Sequence, residues 1–313
     1  MPRIILAPLQ GVTTPLFRTA LASMFTGFDE AMAPFITTTS NGPPPAKHMK
    51  EILPENNNNR LKIIPQLLSK EGGDFLEAAK VIVDLCGADE INWNIGCPSG
   101  TVTGKKRGAG LLPYPEVIDR FLGVVCAKLS CKLSVKMRLG MIDSREWEAL
   151  APILNNYPIS EITIHARTGK QQYDGYADVD MFAECKAAIK HPVVYNGDVV
   201  SVEFADKIIK RFPDLSGIMV GRGLIANPLL SMSIQNGCEA DKKERSIAIF
   251  NLHKKMFAQY AEILQGGAFL GRMKELMKYW GPMLSEDERL IRDVLRARCV
   301  EDYEEAYKAL HNS

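Results

Sequence analysis

Short apolar runs recur along the first three quarters of the chain and alternate with segments of helical periodicity. The helical segments include "DFLEAAKVIVDLCG", where we predict Asp74 as N-cap and Gly87 as the stop, and "SVEFADKIIKRF", with Ser201 as N-cap. This alternation, in units of roughly 30 residues, predicts βα units and a parallel sheet. The predicted strands are "RIILAP", "EAMAPF", "KIIPQLL", "EINWNIG", "SVKMRLG", "EITIHAR", "PVVYNGD" and "GIMVGRG".

About eight such strands are expected of an α/β fold of the (β/α)₈ TIM-barrel type, whose usual size of roughly 250 residues fits residues 1–240. The main rival is a doubly wound open sheet, which normally places its nucleotide-binding glycines after the first strand. That loop here, "APLQGVTTPLFR", has no G-x-G, so the barrel is favoured. From Asp241 onward only helical patterns remain, and we predict a small C-terminal all-helical bundle domain over residues 241–313.

Composition narrows the class of protein. Of 313 residues, 46% are hydrophobic and 24% charged, and the net charge of +1 means that any polyanion partner must be met by a local patch. The seven cysteines are scattered without a C-x-x-C pair, which indicates neither a disulfide framework nor a zinc site. No apolar run is long enough to span a bilayer. We therefore expect a cytoplasmic protein with no metal and no membrane partner.

Polar residues follow most of the predicted strands, at the carboxyl ends where barrels gather their chemistry. A lysine facing the barrel interior needs an anionic partner, because burying an uncompensated charge is costly. The alternative is that Lys136 and Arg138 point outward under the helices or pair with a carboxylate. His165, taken singly, is equally a satisfied structural histidine. The strand-end residues are Pro8, Leu9, Gln10, Gln66, Asn94, Cys97, Lys136, Arg138, His165, Arg167, Asn196, Gly197, Asp198, Gly221, Arg222 and Gly223.

The last two strand ends, "NGD" and "GRG", combine small residues, backbone N–H groups and one arginine. Barrels hold a phosphate at these two loops, near the start of a short helix, although each motif alone is also an ordinary turn. Together with Lys136, His165 and the amide of Gln66, they suit flavin mononucleotide (FMN). Residues 221–226 also fit a loose G-x-G-x-x-A fingerprint, but no strand follows them.

With these residues assembled, the chain resembles the tRNA-dihydrouridine synthases nearly end to end. "LAPLQGVTTPLFR" resembles that family's "APM-x-GVTD-x-x-FR", "PQLL" its "QL-x-G", and "NIGCPSGTVTGKKRGAGLL" its most specific motif, "N-x-GCP…V…G-x-GA-x-LL". "VKMRLG", "IHARTGKQQYDGYAD", "YNGDV" and "MVGRG" follow in order, and "GRMKELMKYW" is similar to the start of its tRNA-facing helices. Two departures are Leu9 for the usual methionine and "DEAMAPF", with Glu30 and Ala31, where the second strand usually carries Thr-Glu.

The resemblance implies a site residue by residue. Cys97 matches the catalytic cysteine, and Asn94 the asparagine that helps to receive the target uridine of the tRNA D-loop. NADPH is the implied electron donor. The implied FMN contacts are Pro8, Leu9, Gln10, Gln66, Lys136, His165, Asn196, Gly197, Asp198, Gly221 and Arg222.

Saturation of the C5–C6 bond of uracil needs a hydride at C6 and a proton at C5. Reduced flavin supplies the hydride, since no amino-acid side chain does. A thiol with a pKa of roughly 8.5, raised further in apolar surroundings, stays protonated at neutral pH. We therefore interpret Cys97, on a loop able to close over a base, as the general acid. The alternative is that Cys97 is a buried thiol that takes no part in a reaction, as Cys86 is expected to be.

A uridine in folded tRNA must be unstacked to reach a flavin. The positive charge that would bind the tRNA backbone must come from local basic patches. Arg289, Arg292 and Arg296 are at helical spacing, as are Lys274 and Lys278, although the same helices carry acids and a solvated charged face is an alternative. We expect a monomer. The predicted substrate or tRNA contacts are Asn94, Arg138, Arg167, Lys105, Lys106, Arg107, Arg272, Lys274 and Arg292.

Two other functions stay open at this point. One is an FMN-dependent barrel oxidoreductase acting on a small pyrimidine or enone, which has no use for the C-terminal helices. The other is a non-enzymatic RNA-binding protein, which would purify colourless.

Overall fold

Parallel strands curl into one closed sheet in this computed structural model, which describes residues 2–40, 42–58 and 60–311, without the side chain of Lys47. The strand order is β3-β5-β6-β7-β8-β9-β10-β1-β2-β4. The strands are β1 (Arg3–Leu6), β2 (Glu30–Met32), β3 (Ile36–Thr37), β4 (Lys62–Ile64), β5 (Gln66–Leu68), β6 (Glu90–Ile95), β7 (Lys132–Gly140), β8 (Ile159–Thr168), β9 (Val193–Asn196) and β10 (Gly217–Val220).

The sheet has ten strands rather than eight because two barrel strands are each interrupted once. Pro65, which has no N–H to donate, separates β4 from β5, while its carbonyl accepts from the N–H of Asn92 on β6 at 2.8 Å. Residues 33–35 separate β2 from β3 in the same way. Strand β2 pairs with β4, and β3 pairs with β5. Counting β2 and β3 as one strand, and β4 and β5 as another, gives eight barrel positions. The predicted (β/α)₈ barrel is therefore confirmed.

Helices follow the strands and cover the outside of the barrel. Single 3₁₀ turns lie at Pro54–Asn56 and Gly108–Leu111. The helices of the barrel portion are α1 (Pro15–Met24), α2 (Ala46–Met49), α3 (Gly72–Cys86), α4 (Gly100–Thr103), α5 (Pro115–Cys126), α6 (Trp147–Leu154), α7 (Val179–Ala188), α8 (Val202–Arg211), α9 (Arg222–Ala226) and α10 (Leu230–Asn236).

Helix ends agree with the sequence at two of three predicted caps. The hydroxyl of Ser201 accepts from the N–H of Phe204, and Gly87 ends α3 in the left-handed region at φ 62°. Asp74 is not the N-cap of α3, because the helix begins two residues earlier, at Gly72. A β-carbon at Gly72 would lie 2.8 Å from a methyl group of Val124, so this helix starts where it packs closely on α5.

The barrel interior has two layers, which follow from the alternation of side chains along each strand. The lower layer is apolar and the upper layer, towards the carboxyl ends, is polar. The lower layer contains Ile5, Met32, Ile64, Val194 and Met219. The upper layer contains Gln66, Asn92, Asn94, Ser134, Lys136, Thr163, His165 and Asn196.

From Asp241 the chain is helical. Asp241 and Glu244 form a reciprocal capping box, which fixes the start of α11 where the change in sequence pattern predicted it. The indole of Trp280, fully buried, donates to the carbonyl of Ile225 at 2.9 Å, so these helices pack directly on the barrel. The helices are α11 (Lys242–Ile263), α12 (Gly266–Leu284), α13 (Glu288–Arg296) and α14 (Val300–His311).

Among the described residues, no helix combines the length and the apolar character needed to cross a membrane.

Candidate active site

One cavity opens at the carboxyl ends of the barrel strands and brings the predicted site together. Its wall includes Cys97, Asn94 and Arg138 as well as every residue predicted to hold FMN. The Cα atoms of Asn94 and Lys136 are register partners on adjacent strands β6 and β7, which places the thiol loop beside the lysine. These predicted residues in its wall are Pro8, Leu9, Gln10, Gln66, Lys136, His165, Asn196, Gly197, Asp198, Gly221 and Arg222.

Lys136 points into this cavity rather than outward beneath the helices. Its ammonium donates to the side-chain oxygen of Asn196 at 3.0 Å, and among the described residues it has no carboxylate partner. Burial, and secondarily the nearby Arg138, lower the pKa of Lys136 to about 7. A half-buried ammonium with only a neutral partner fits an electron-rich or anionic ligand.

His165 is buried in the same wall, on strand β8. Burial, and the positive charges of Arg138 and Lys136, hold its pKa well below the usual value. Its ring is therefore neutral at physiological pH. Its Nε2 accepts from the guanidinium of Arg167 at 3.5 Å, which leaves the Nδ1–H as the donor for a ligand.

The Cys97 loop is held from two sides. The side-chain oxygen of Asn94 accepts from the N–H groups of Gly96 and Cys97, at 3.0 and 2.9 Å. The carbonyl of Cys97 accepts from the N–H of Ala109 at 3.0 Å. Burial raises the pKa of the Cys97 thiol. The backbone N–H of Ser99 and the charges of Arg138 and Lys136 offset this in part without reversing the direction. The thiol is therefore protonated at neutral pH.

The end of the cavity at β9 and β10 is formed by close backbone approach. A β-carbon at Gly221 would lie 3.4 Å from the side chains of Ala7 and Leu9, and Gly197 has a φ of 143°, which favours glycine. The carboxylate of Asp198 is already occupied, since it accepts from Arg167, from Arg222 and from the N–H of Ala177. Asp198 can therefore contribute its backbone, not its side chain, to an anion.

Two arginines predicted as substrate contacts are anchored by the protein. Arg138 lines the cavity but donates to the carbonyls of Gly96, Thr168 and Gln172, at 2.7–3.0 Å. Arg167 is buried, lies outside the cavity wall, and donates to Gly175 and Asp198. Both are positioned to hold loops together, and Arg167 also donates to the ring of His165 in the cavity wall at 3.5 Å. A contact between Arg167 and the substrate stays a prediction.

Apart from Arg138, the predicted basic contacts lie outside the cavity wall. Lys105 and Lys106 are exposed and Arg107 is half-buried, on the loop that follows α4. On the helices, Arg292 is exposed and 3.8 Å from Glu288.

Two basic side chains of α12 are engaged within the protein. The guanidinium of Arg272 stacks 5.7 Å from the ring centre of Tyr260. Lys274 donates to the carbonyl of Ala297 at the end of α13 and is therefore less free to meet RNA than the sequence suggested.

Several wall residues were not identified from the sequence. Pro34 and Phe35 follow strand β2, so their position at a strand end was a usable signal. Tyr173 stacks on Arg222, with the guanidinium 4.3 Å from the ring centre. Glu275 and Tyr279 come from α12, and no pattern in the sequence indicates that this helix reaches the barrel mouth.

Glu30, noted where the usual Thr-Glu pair is missing, lies at the other end of the barrel. Its carboxylate accepts from Arg3 at 2.8 Å, at the beginning of β2. It therefore makes no part of the cavity, and the apolar Pro34 and Phe35 stand at the carboxyl end of that strand instead.

A closed parallel barrel whose strand ends carry a protonated thiol, a half-buried lysine and a neutral histidine in one cavity is a barrel enzyme. The chain belongs to the dihydrouridine synthase family, whose model matches residues 5–299. It is therefore an oxidoreductase of a flavin-dependent family.

Individual relatives agree with this membership. The chain is 30% identical over 244 residues to tRNA-dihydrouridine synthase B of Pasteurella multocida, covering 76% of this chain and 70% of the relative. It is 33% identical to the tRNA-dihydrouridine(16) synthase of Neisseria meningitidis serogroup A, with 74% and 71% covered. The crystal structure of TcOYE with pHBA is similar in fold, with a TM-score of 0.54 at 13% identity, over 76% of this chain and 90% of that one.

Proposed function

We propose that the protein reduces the C5–C6 bond of D-loop uridines in tRNA, with bound FMN, with NADPH as electron donor and with Cys97 as proton donor. The observation that carries the proposal is that the Cys97 thiol and the Lys136 ammonium line one cavity at the ends of adjacent strands. A proton donor and a cation for an electron-rich ring are the two groups that this reaction requires of the protein.

The residues present fit FMN. Lys136 lacks an anionic partner among the described residues, and Gln66 lies deeper in the same wall. At the other end, Gly197 and Gly221 allow close backbone approach, and Arg222 brings a half-exposed guanidinium. Because Asp198 is paired with two arginines, its carboxylate does not oppose a phosphate there. FMN, once bound and reduced, would supply the hydride for C6 of the base.

Cys97 supplies the proton for C5. Its thiol is protonated at neutral pH because burial raises its pKa. Its backbone is fixed by Asn94 and Ala109, so the sulfur is held at the cavity wall before a base arrives. Such preorganisation is what makes a positioned general acid effective.

The helical segment is proposed as the tRNA-binding domain, residues 241–313, beside a catalytic barrel over residues 1–240, in a monomer. Helix α12 contributes Glu275 and Tyr279 to the cavity wall, so RNA lying on these helices would be adjacent to the site. Arg292 and Arg296 are exposed on α13. On the barrel rim, Tyr176 is 89% exposed and offers a ring on which a flanking base can stack.

The decisive experiment uses the purified protein and an unmodified tRNA transcript. We expect a yellow protein with flavin absorbance and NADPH-dependent dihydrouridine, measured by mass spectrometry of nucleosides. Cys97→Ala should keep the flavin and lose about 10²–10⁴-fold in rate, the usual contribution of a general acid. A protein that binds no FMN, or undiminished product from Cys97→Ala, would contradict the proposal.

A further inference from the structure

A row of side-chain amides crosses the upper layer of the barrel from β7 to the Cys97 loop. Asn92 donates to the hydroxyl of Ser134 at 2.9 Å, and Gln66 donates to the oxygen of Asn92 at 2.8 Å. Asn94 donates to the oxygen of Gln66 at 2.8 Å and accepts from the backbone of Gly96 and Cys97. We call these four residues, Ser134, Asn92, Gln66 and Asn94, the amide relay.

The orientation of each amide in the relay is forced from one end. A backbone N–H only donates, so the side-chain oxygen of Asn94 must face the Cys97 loop. Its nitrogen then faces Gln66, which must turn its oxygen to Asn94 and its nitrogen to Asn92. All three amides are buried, so an amide turned the other way would leave donors facing donors without water to relieve them.

We propose that Asn94 is a positioning residue that couples the Cys97 loop to the side of the cavity where the cofactor binds. It does so through the relay, which fixes whether Gln66 presents the oxygen edge or the nitrogen edge of its amide to the cofactor. The inference rests on the proposed function in one respect only, namely that a flavin is the ligand that Gln66 faces. In this role, which is separate from its predicted contact with the uridine, Asn94 acts on the reaction through the Cys97 loop and through Gln66.

The relay can be reversed by one substitution. In Asn94→Asp the carboxylate still accepts from Gly96 and Cys97, but it has no N–H for Gln66. Gln66 must then turn over and donate, Asn92 must turn with it, and the hydroxyl of Ser134 changes from acceptor to donor. Every hydrogen bond within the relay is kept, although the contact from the Gln66 nitrogen to the Met32 sulfur, 2.9 Å in the wild type, is lost. Gln66 then presents the opposite edge to the cavity. Asn94→Ala instead removes both the acceptor for the Cys97 loop and the donor to Gln66, and it leaves the N–H groups of Gly96 and Cys97 without this partner.

The experiment compares Asn94→Asp and Asn94→Ala with the wild-type full chain and with Asn155→Asp. The control asparagine also accepts from a backbone N–H, that of Lys190, but it donates to a backbone carbonyl, that of Ala188, and it lies outside the cavity wall. Three quantities are measured: alkylation of Cys97 by iodoacetamide, with the exposed Cys299 as internal reference, the visible spectrum of added FMN, and dihydrouridine formation.

For Asn94→Asp we expect Cys97 alkylation at the wild-type rate, a displaced flavin spectrum and about tenfold slower turnover. For Asn94→Ala we expect alkylation to rise about tenfold, the factor that corresponds to about one lost buried hydrogen bond. Asn155→Asp should match the wild type in all three. A wild-type spectrum and rate in Asn94→Asp would overturn the inference, as would unchanged alkylation in Asn94→Ala.

Failure of the proposed function looks different. If the wild type binds no FMN, the proposed function fails, while the alkylation rates still test whether Asn94 holds the thiol loop. If Asn94→Ala does not fold, Asn94→Asp, which keeps the loop contacts, carries the test alone.

Discussion

A β-carbon at Gly108 would lie 2.7 Å from the carbonyl oxygen of Cys97 and 3.1 Å from its β-carbon. Gly108 also has a φ of 55°, in the left-handed region that glycine adopts without strain. The glycine therefore lets the loop after α4 lie directly on the backbone of the thiol residue. No other side chain fits between these two segments.

Gly108→Ala should displace Cys97 and lower turnover at least tenfold, while unfolding free energy falls by about 1–3 kcal/mol. The matched control is Gly100→Ala at the start of α4, where a β-carbon would meet open space and φ is not positive. Chemical denaturation and single-turnover rates measure the two effects. Equal rates in the two variants would show that the contact does not position the thiol.

Turnover should fall at alkaline pH. The general acid must be protonated, so the rate declines as pH rises through the pKa of Cys97, which burial raises above its ordinary value of about 9. Below that pKa Cys97 stays protonated, so the rate does not change with pH. Cys97→Ser should be slow at every pH and lose this alkaline decline. A persistent decline in the serine variant would assign it to another group.

Binding of FMN to the apoprotein should weaken as pH rises through about 7. The pKa of Lys136 is lowered to about 7, so the ammonium is charged below that pH and neutral above it. Lys136→Met should remove the dependence and bind weakly throughout. Riboflavin serves as a second probe, because it has no phosphate whose own titration overlaps. Fluorescence quenching of either ligand gives the dissociation constant, and a pH-independent constant for wild type would contradict the role of this lysine.

Charge reversal at Arg292 and Arg296 should weaken tRNA binding and reduce the salt dependence by about one unit of log–log slope per lost phosphate contact. Both side chains are exposed on α13. Flavin reduction by NADPH should be unchanged. Lys128→Glu is the matched control, since this exposed lysine precedes β7 at the opposite end of the barrel. If the control lowers affinity equally, the effect is one of net charge rather than of location.

Stability should decrease in mild acid because of His253. This buried ring hydrogen-bonds Tyr303 at 2.8 Å, and burial lowers its pKa to about 3. A depressed pKa contributes stability above the unfolded value of about 6.5, and that contribution is lost as pH falls from there towards 3. The stability of His253→Phe should fall less steeply than that of the wild type as pH decreases, although the variant should be less stable than the wild type at pH 8. Thermal melts at pH 8 and pH 5 measure the difference, and identical pH slopes would contradict it.

Most of the cavity was predictable because the ends of the strands can be recognised in the sequence. Apolar runs mark the strands, and in a parallel barrel every carboxyl end meets at one mouth, so Gln66, Asn94, Lys136, His165 and Asn196 were expected together. The period of two along β7 likewise places Ser134, Lys136 and Arg138 on one face.

The sequence by itself therefore determined the barrel, the set of chemical groups at its mouth and the helical start at Asp241, because these depend on local periodicity and on the order of elements. Only the tertiary structure decided what those groups do. Whether Asp198 faces an anion or two arginines is set by hydrogen bonds between residues far apart in the chain. Arg167 is held by one of these bonds and by the nearby carbonyl of Gly175. The wall contributed by Glu275 and Tyr279 depends in the same way on how α12 packs against the barrel, and no local pattern encodes that contact.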